Sequence, residues 1–248
     1  MINNNFEILE FEILKSKLYK MNIKKHIPNT LTCLNLVSGC VAVWLAFRGQ
    51  FGSALAAIFI AAVFDFSDGF AARLLKAYSP VGKELDSLAD VISFGFTPGA
   101  LIFTLLSYSQ VPDFVLFSGF IITAFSAFRL AKFNIDERQT NSFIGLPVPA
   151  NAIFWGGLVY SFHNFLINYW WITLILTLVF SFLLVSEIPM FSLKIKGLAW
   201  KENKIRYIFL IVCLVLFAVF RLKSIPFFIV WYILLSVFLT TFAKKLKS

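Results

Sequence analysis

Charge is what this sequence has least of. Only 14% of its 248 residues are Asp, Glu, Lys or Arg, while 59% are hydrophobic. Soluble domains carry about 25% charged residues, so an aqueous globular domain is excluded. Histidine occurs twice, and the three cysteines form no CxxC spacing. Zinc and dithiol arrangements are therefore missing. Cys33, Cys40 and Cys213 all fall in apolar stretches and are expected to be small buried thiols. No internal repeat or low-complexity tract is present, and the connections between apolar runs leave no room for a separate soluble domain. The first twenty residues lack the apolar core of a cleavable signal and carry Glu7, Glu10, Glu12, Lys15, Lys17 and Lys20. They read as a dispensable extension, or as a leader upstream of a start at Met21.

Apolar and aromatic residues are abundant. The mean hydropathy is +0.83, and Phe occurs 31 times, which suits helices facing lipid. A membrane-crossing helix needs about 20 mostly apolar residues. Eight such runs are expected, near 31–47, 51–75, 85–107, 114–133, 147–162, 169–186, 205–220 and 226–243. The fold class is thus all-α, a polytopic membrane bundle. The net charge of +9 would ordinarily suggest nucleic acid. Here the basic residues sit in short clusters between apolar runs, so no nucleic-acid partner is expected. With eight spans, all but three of the 22 Lys and Arg residues fall on one side. The exceptions are Arg48, Arg221 and Lys223. The positive-inside bias places both termini in the cytoplasm.

The second and third runs break the apolar rule. Asp65 and Asp68 are three apart, and Asp86 and Asp90 four apart, so each pair shares a helix face. A short turn makes the two helices antiparallel and brings the four carboxylates together near the cytoplasmic end. A charged side chain at the bilayer centre costs at least ~2.5–3.5 kcal/mol, and Arg73 alone cannot balance four. Carboxylate oxygens without His or Cys suit Mg²⁺ or Mn²⁺, with Ca²⁺ also admitted. Two divalent ions would nearly cancel the charge, as in two-metal phosphoryl chemistry. Gly69, Ala72 and Gly82 lie within a turn of these acids and would let a pyrophosphate approach the backbone. Arg73 has the fork geometry for phosphate. Two other readings stand beside this one. Small residues also mediate ordinary helix packing, and intramembrane acids also mark cation transporters.

The spacing D-x-x-D-G-x-x-A-R, eight residues, then G-x-x-x-D-x-x-x-D resembles the signature of the CDP-alcohol phosphatidyltransferase family at every fixed position. The resemblance implies a six-helix core, dimeric in many members, within residues 24–190. It leaves 1–23 as an N-terminal extension and 191–248 as two further helices with a basic tail. It implies that Asp65, Asp68, Asp86 and Asp90 hold two metal ions. Asp90 would also be the catalytic general base, and Gly69, Ala72, Arg73 and Gly82 would bind CDP-diacylglycerol. The stretches 27–39, 129–134 and 143–150 are similar to the bacterial serine-accepting branch of that family. That likeness implies a bacterial inner membrane, CDP-diacylglycerol and L-serine as substrates, and phosphatidylserine and CMP as products. Glycerol 3-phosphate or another alcohol remains the alternative acceptor.

Residues outside the motif carry weaker signals. Arg129, Lys132 and Arg138 are expected either to anchor the fourth run or to form a cationic wall for the lipid phosphate or serine carboxylate. Pro147 and Pro149 set a rigid helix entry. Asn35 is read as a packing hydrogen bond or a substrate contact. His163 is expected at the outer interface, the six tryptophans in an interfacial belt, and Glu187 in a pair with a loop lysine. The topology is directly testable. Cysteine labelling or reporter fusions should place Lys196 and Lys247 in the cytoplasm and Asp113 on the other side. An external Lys247 would make the number of spans odd.

Overall fold

The computed structural model describes residues 2–136, 138, 143–191 and 199–245. Lys194, Lys196 and Lys247 lie outside these residues. Each of the eight apolar runs coincides with helix. The first lies in α1 (Ile2–Phe47). That helix also takes in the N-terminal extension, because no proline or glycine interrupts the sequence before Pro28. A tight turn leads to α2 (Phe51–Leu75). Lys76 then closes α2 in a left-handed conformation, and Ser79 caps α3 (Pro80–Asp90) by accepting from the Gly82 N–H at 3.0 Å. The third run therefore begins about one turn earlier than expected, because Ser79-Pro80 is a start signal inside polar sequence.

Immediately after Asp90 the helix widens into a π-helical turn, Val91–Phe96, before resuming as α4 (Thr97–Ser107). Such turns are rare and concentrate at functional sites. The chain continues through α5 (Asp113–Leu116), a 3₁₀ turn and α6 (Phe120–Ile135). Next come α7 (Val148–Asn168), broken at Phe162, and α8 (Trp170–Val185). A two-residue antiparallel pairing joins β1 (Phe143–Ile144) to β2 (Pro189–Met190). The chain leaves β1 at Gly145, whose φ of +77° is a left-handed value. The hairpin of α9 (Trp200–Phe220) and α10 (Ile225–Lys245) completes the chain.

Among the described residues, five helical segments are long and apolar enough to cross a membrane, and Trp170–Val185 is a shorter apolar helix. The longest segment, Asn203–Thr241, covers both α9 and α10. The protein is an all-α polytopic membrane bundle. Pro80–Ser107 is its axis: 72% of that window is buried, against 17–33% for the other four. Helices α1, α6 and α7 all pack on it, and α10 packs on α7. The outer faces carry large exposed apolar residues such as Val63, Phe66, Phe182 and Leu214, as lipid contact requires.

Two expectations fail for the same reason. Cys33 and Cys40 are exposed on α1, not buried, and Cys213 is half-buried. Lipid solvates a thiol as well as a core does. Trp155 is fully buried against Phe154 and Phe180, so it does not belong to an interfacial belt. Pro147 caps α7 and Pro149 lies in its first turn, as expected. His163 is half-buried against Phe51, 5.7 Å between ring centroids, at the end of the bundle remote from the acids.

The tightest helix contact sits beside the π turn. A Cβ on Gly39 would stand 2.3 Å from Ser93 Oγ and 2.6 Å from its Cα. Thr97 Oγ1 donates to the Gly39 carbonyl at 3.4 Å. Forcing extra atoms into such a contact costs about 1–3 kcal/mol. Gly39→Val should therefore lower the melting temperature in detergent, read by intrinsic fluorescence. An unchanged midpoint would show that α1 and the axis helix are not locked here.

Candidate active site

The four aspartates occupy facing positions on α2 and on α3. Asp65, Asp68 and Asp86 each offer a carboxylate oxygen, and these oxygens lie within 4.8 Å of one another. Asp90 lies one turn further along, buried, and within electrostatic reach of Asp65, Asp86 and Asp68. The structure thus brings three of the expected ligands into one cluster and sets the fourth behind them. Among the described residues none of the four is ion-paired.

Their partners come from α1, which the sequence motif does not include. Thr32 Oγ1 donates to Asp68 Oδ2 at 2.6 Å, and Asn35 Nδ2 donates to Asp90 Oδ1 at 3.1 Å. Asn35 is fully buried, and its carbonyl accepts from Ser93 Oγ at 3.0 Å. Its hydrogen bond is therefore made to a site carboxylate. Thr32 and Asn35 are three apart and share a face. The sequence signal was present: two amide or hydroxyl side chains at helical spacing inside an apolar run, where an unsatisfied polar group is costly.

A cavity of ≈ 200 Å³ opens beside the cluster. It is lined by Asp68 and Asp86, by Gly69, Ala72 and Gly82, and by Asn29, Thr32, Tyr78, Ser79 and Lys83. Three of the four residues expected to bind CDP-diacylglycerol are in its wall. Arg73 is not. Its Nε donates to the Gly69 carbonyl at 3.0 Å, along its own helix. The cation in the wall is Lys83, whose Nζ donates to the Asn134 carbonyl at 2.9 Å. Nothing lies within 4 Å of where a Gly69 Cβ would stand, so the missing side chain there leaves open cavity.

Arg129 and Lys132 do not line the cavity. Arg129 is buried at the end of α6, with its Nε unpartnered and its guanidinium 5.1 Å from the Phe133 ring centroid. Lys132 pairs with Glu187, which also accepts from Arg138 at 3.4 Å. The bond from Lys132 holds the Glu187 carboxyl below its ordinary range, with the Arg138 charge adding to the effect. Glu187 thus pairs with a lysine, but with one on α6 and not in a loop. The same end of α6 touches the site helix, because Asn134 Nδ2 donates to Ser87 Oγ at 2.8 Å.

The donor set suits a hard divalent cation. The converging oxygens are all carboxylate, and Asp86 Oδ1 is buried without a hydrogen-bond partner. Uncompensated carboxylates this close repel one another, and a divalent cation would satisfy the orphaned oxygen and the charge together.

A bundle with this acidic hairpin defines a class, and comparison with known proteins agrees. The chain belongs to the CDP-alcohol phosphatidyltransferase family, whose model matches residues 25–183. It is similar to the CDP-diacylglycerol–serine O-phosphatidyltransferase of Bacillus subtilis (strain 168), at 36% identity over 124 residues, covering 50% of this chain and 70% of that protein. The Methanocaldococcus jannaschii protein of the same name is 33% identical over 162 residues, covering 65% and 72%. That of Helicobacter pylori (strain 26695) is 35% identical over 128 residues, covering 51% and 54%.

The open wall at Gly69 yields a test. Gly69→Leu should fold at least as stably as the parent, since glycine costs about 1 kcal/mol inside a helix. It should weaken CDP binding by about 10-fold, measured by calorimetry with detergent-purified protein and Mg²⁺ or Mn²⁺. Unchanged affinity would place the nucleotide elsewhere.

Proposed function

We propose that this protein transfers the phosphatidyl group of CDP-diacylglycerol to L-serine, giving phosphatidylserine and CMP. The observation that carries the reading is the convergence of Asp65, Asp68 and Asp86 beside a glycine-walled cavity. Support for serine comes from relatives named for that acceptor. A chain built to move cations would have no need of that cavity or of a complete nucleotide-lipid motif.

In this reading Asp65, Asp68 and Asp86 hold two Mg²⁺ or Mn²⁺ ions, with Asp90 contributing. The ions would withdraw charge from the phosphoryl oxygens and stabilise the departing phosphate. Gly69, Ala72 and Gly82 admit the pyrophosphate, Arg73 and Lys83 add positive charge near it, and the acyl chains stay in lipid. Serine's hydroxyl is a weak nucleophile at neutral pH, so a positioned base contributes. Asn35 orients the Asp90 carboxylate to take that proton. The serine oxygen bonds to the phosphatidyl phosphorus, and the bond from that phosphorus to the CMP oxygen breaks. Arg129 and Lys132 lie on the side from which a carboxylate-bearing acceptor would approach.

The same reading makes 24–190 the catalytic core, 1–23 an extension and 191–248 an addition. It places the acidic end and both termini on the cytoplasmic side of a bacterial inner membrane. A second copy of the chain would cover part of the exposed apolar surface as a homodimer.

One acceptor panel tests the function. Purified protein with labelled CDP-diacylglycerol and Mn²⁺ or Mg²⁺ should release CMP with serine, and much less with glycerol 3-phosphate or inositol phosphate. Asp90→Asn should cut the serine rate by at least ~100-fold while CDP-diacylglycerol still binds. Product from glycerol 3-phosphate alone would defeat serine as acceptor. Metal-dependent cation flux without CMP would defeat the enzyme reading altogether.

A further inference from the structure

The C-terminal hairpin lies beyond the family-matched residues 25–183, yet it grips the chain just after α8, at Phe191. Tyr232 and Ser236 are one turn apart on α10. The Tyr232 hydroxyl donates to the Phe191 carbonyl at 3.0 Å, and Ser236 Oγ accepts from the Phe191 N–H at 3.4 Å. Both backbone groups of Phe191 are thereby occupied by one helix. Its ring packs on Tyr232 at 5.0 Å and on Phe209 of α9 at 5.7 Å between centroids. Tyr232 and Ser236 are buried, so the clamp is dry, and Thr240 one turn on reaches the Pro189 carbonyl at 3.3 Å.

The clamped segment is short and carries one charged side chain. Residues 187–191 pair through Pro189 and Met190 with β1, and the Gly145 N–H donates to the Ile188 carbonyl at 2.9 Å. The segment is thus held between β1 and α10. Glu187 opens it and binds both Lys132 and Arg138. Tyr232 is also within electrostatic reach of buried Arg129. Every cation assigned above to the acceptor side is therefore tied to α10 either directly or through Glu187.

We infer that α10 is a positioning element for the acceptor pocket, its Tyr232–Ser236 clamp on Phe191 fixing Glu187 and so the placement of Lys132 and Arg138. This rests on the proposed reaction for its functional half. Hydrogen bonds to a backbone segment set where its side chains begin, and a carboxylate shared by two cations sets where they end. An anionic group on the incoming alcohol, the carboxylate of serine, would meet cations held at fixed spacing. The cavity assigned to CDP-diacylglycerol has no wall residue from 187–191 or α10, so its binding would not depend on the clamp.

The test uses full-length Tyr232→Phe/Ser236→Ala, which keeps every ring contact, and Ser236→Thr, which keeps a hydroxyl. Hydrogen exchange read by mass spectrometry should show faster exchange at the Phe191 amide in the double variant. The KM for serine should rise about 5- to 10-fold, the scale of one or two hydrogen bonds, with the KM for CDP-diacylglycerol and kcat within twofold. Ser236→Thr should behave as the parent. Unchanged exchange, unchanged serine KM, or a parallel rise in both KM values would each overturn the inference. If the parent enzyme ignores serine, the proposed reaction fails separately. The same comparison is then made with the acceptor it does use, and the exchange readout stands regardless.

Discussion

Four carboxylates share one corner of a membrane bundle, and the surrounding structure is arranged around their repulsion. In lipid each unpaired charge is expensive, and here none is neutralised by a lysine or arginine among the described residues. Compensation comes instead from hydrogen bonds, from proximity to the membrane end and from the capacity to hold divalent ions. Thr32 serves Asp68 and Asn35 serves Asp90, while Asp86 retains a buried oxygen with no partner. A protein selected only for stability would not keep that oxygen bare. With the three converging carboxylates it makes a donor set that fits a divalent cation.

The same constraint explains the shape of the axis helix. To place Asp86 opposite Asp65 and Asp68, and Asp90 against Asn35, the helix carrying them must meet α2 and α1 at once. The π turn directly after Asp90 changes the side-chain phase downstream of the acids. Asp90 meets Asn35 just before the turn, and within it Ser93 reaches the Asn35 carbonyl. Gly39 permits the close approach that both contacts need. Removing the glycine would separate α1 from the axis helix and withdraw two hydrogen-bond donors from the site together.

Periodicity and apolar run length made the helices legible, because lipid demands them continuously. The acidic motif was legible because charge is so rare here that spacing among the few acids carries information. The structure departs where the identity of a residue does not set its partner. Arg73 has the chemistry of a phosphate ligand but bonds to its own helix, and Lys83 takes the place in the cavity wall. Thr32 and Asn35 carried a signal, but sequence alone could not tell which acid each would meet. The buried Trp155 and the exposed Cys33 and Cys40 show a further limit. When solvent is lipid, hydrophobicity no longer distinguishes inside from outside.

The least legible part was the role of the last two helices. From the sequence they are apolar runs with basic flanks, an appendage to a six-helix core. Yet α10 packs on α7, and a Cβ on Gly157 of α7 would stand 2.6 Å from Ile225 Cγ2. That leaves no room for a side chain at Gly157, and the contact fixes α10 in the bundle. A helix so fixed can hold a peptide segment still, and the segment it holds carries Glu187. The acids on α2 and α3 are positioned from one flank by α1, and the cations of α6 from the other by α8, β2 and α10. Holding the acceptor's carboxylate while its hydroxyl comes within reacting distance of the phosphorus requires both flanks to be rigid.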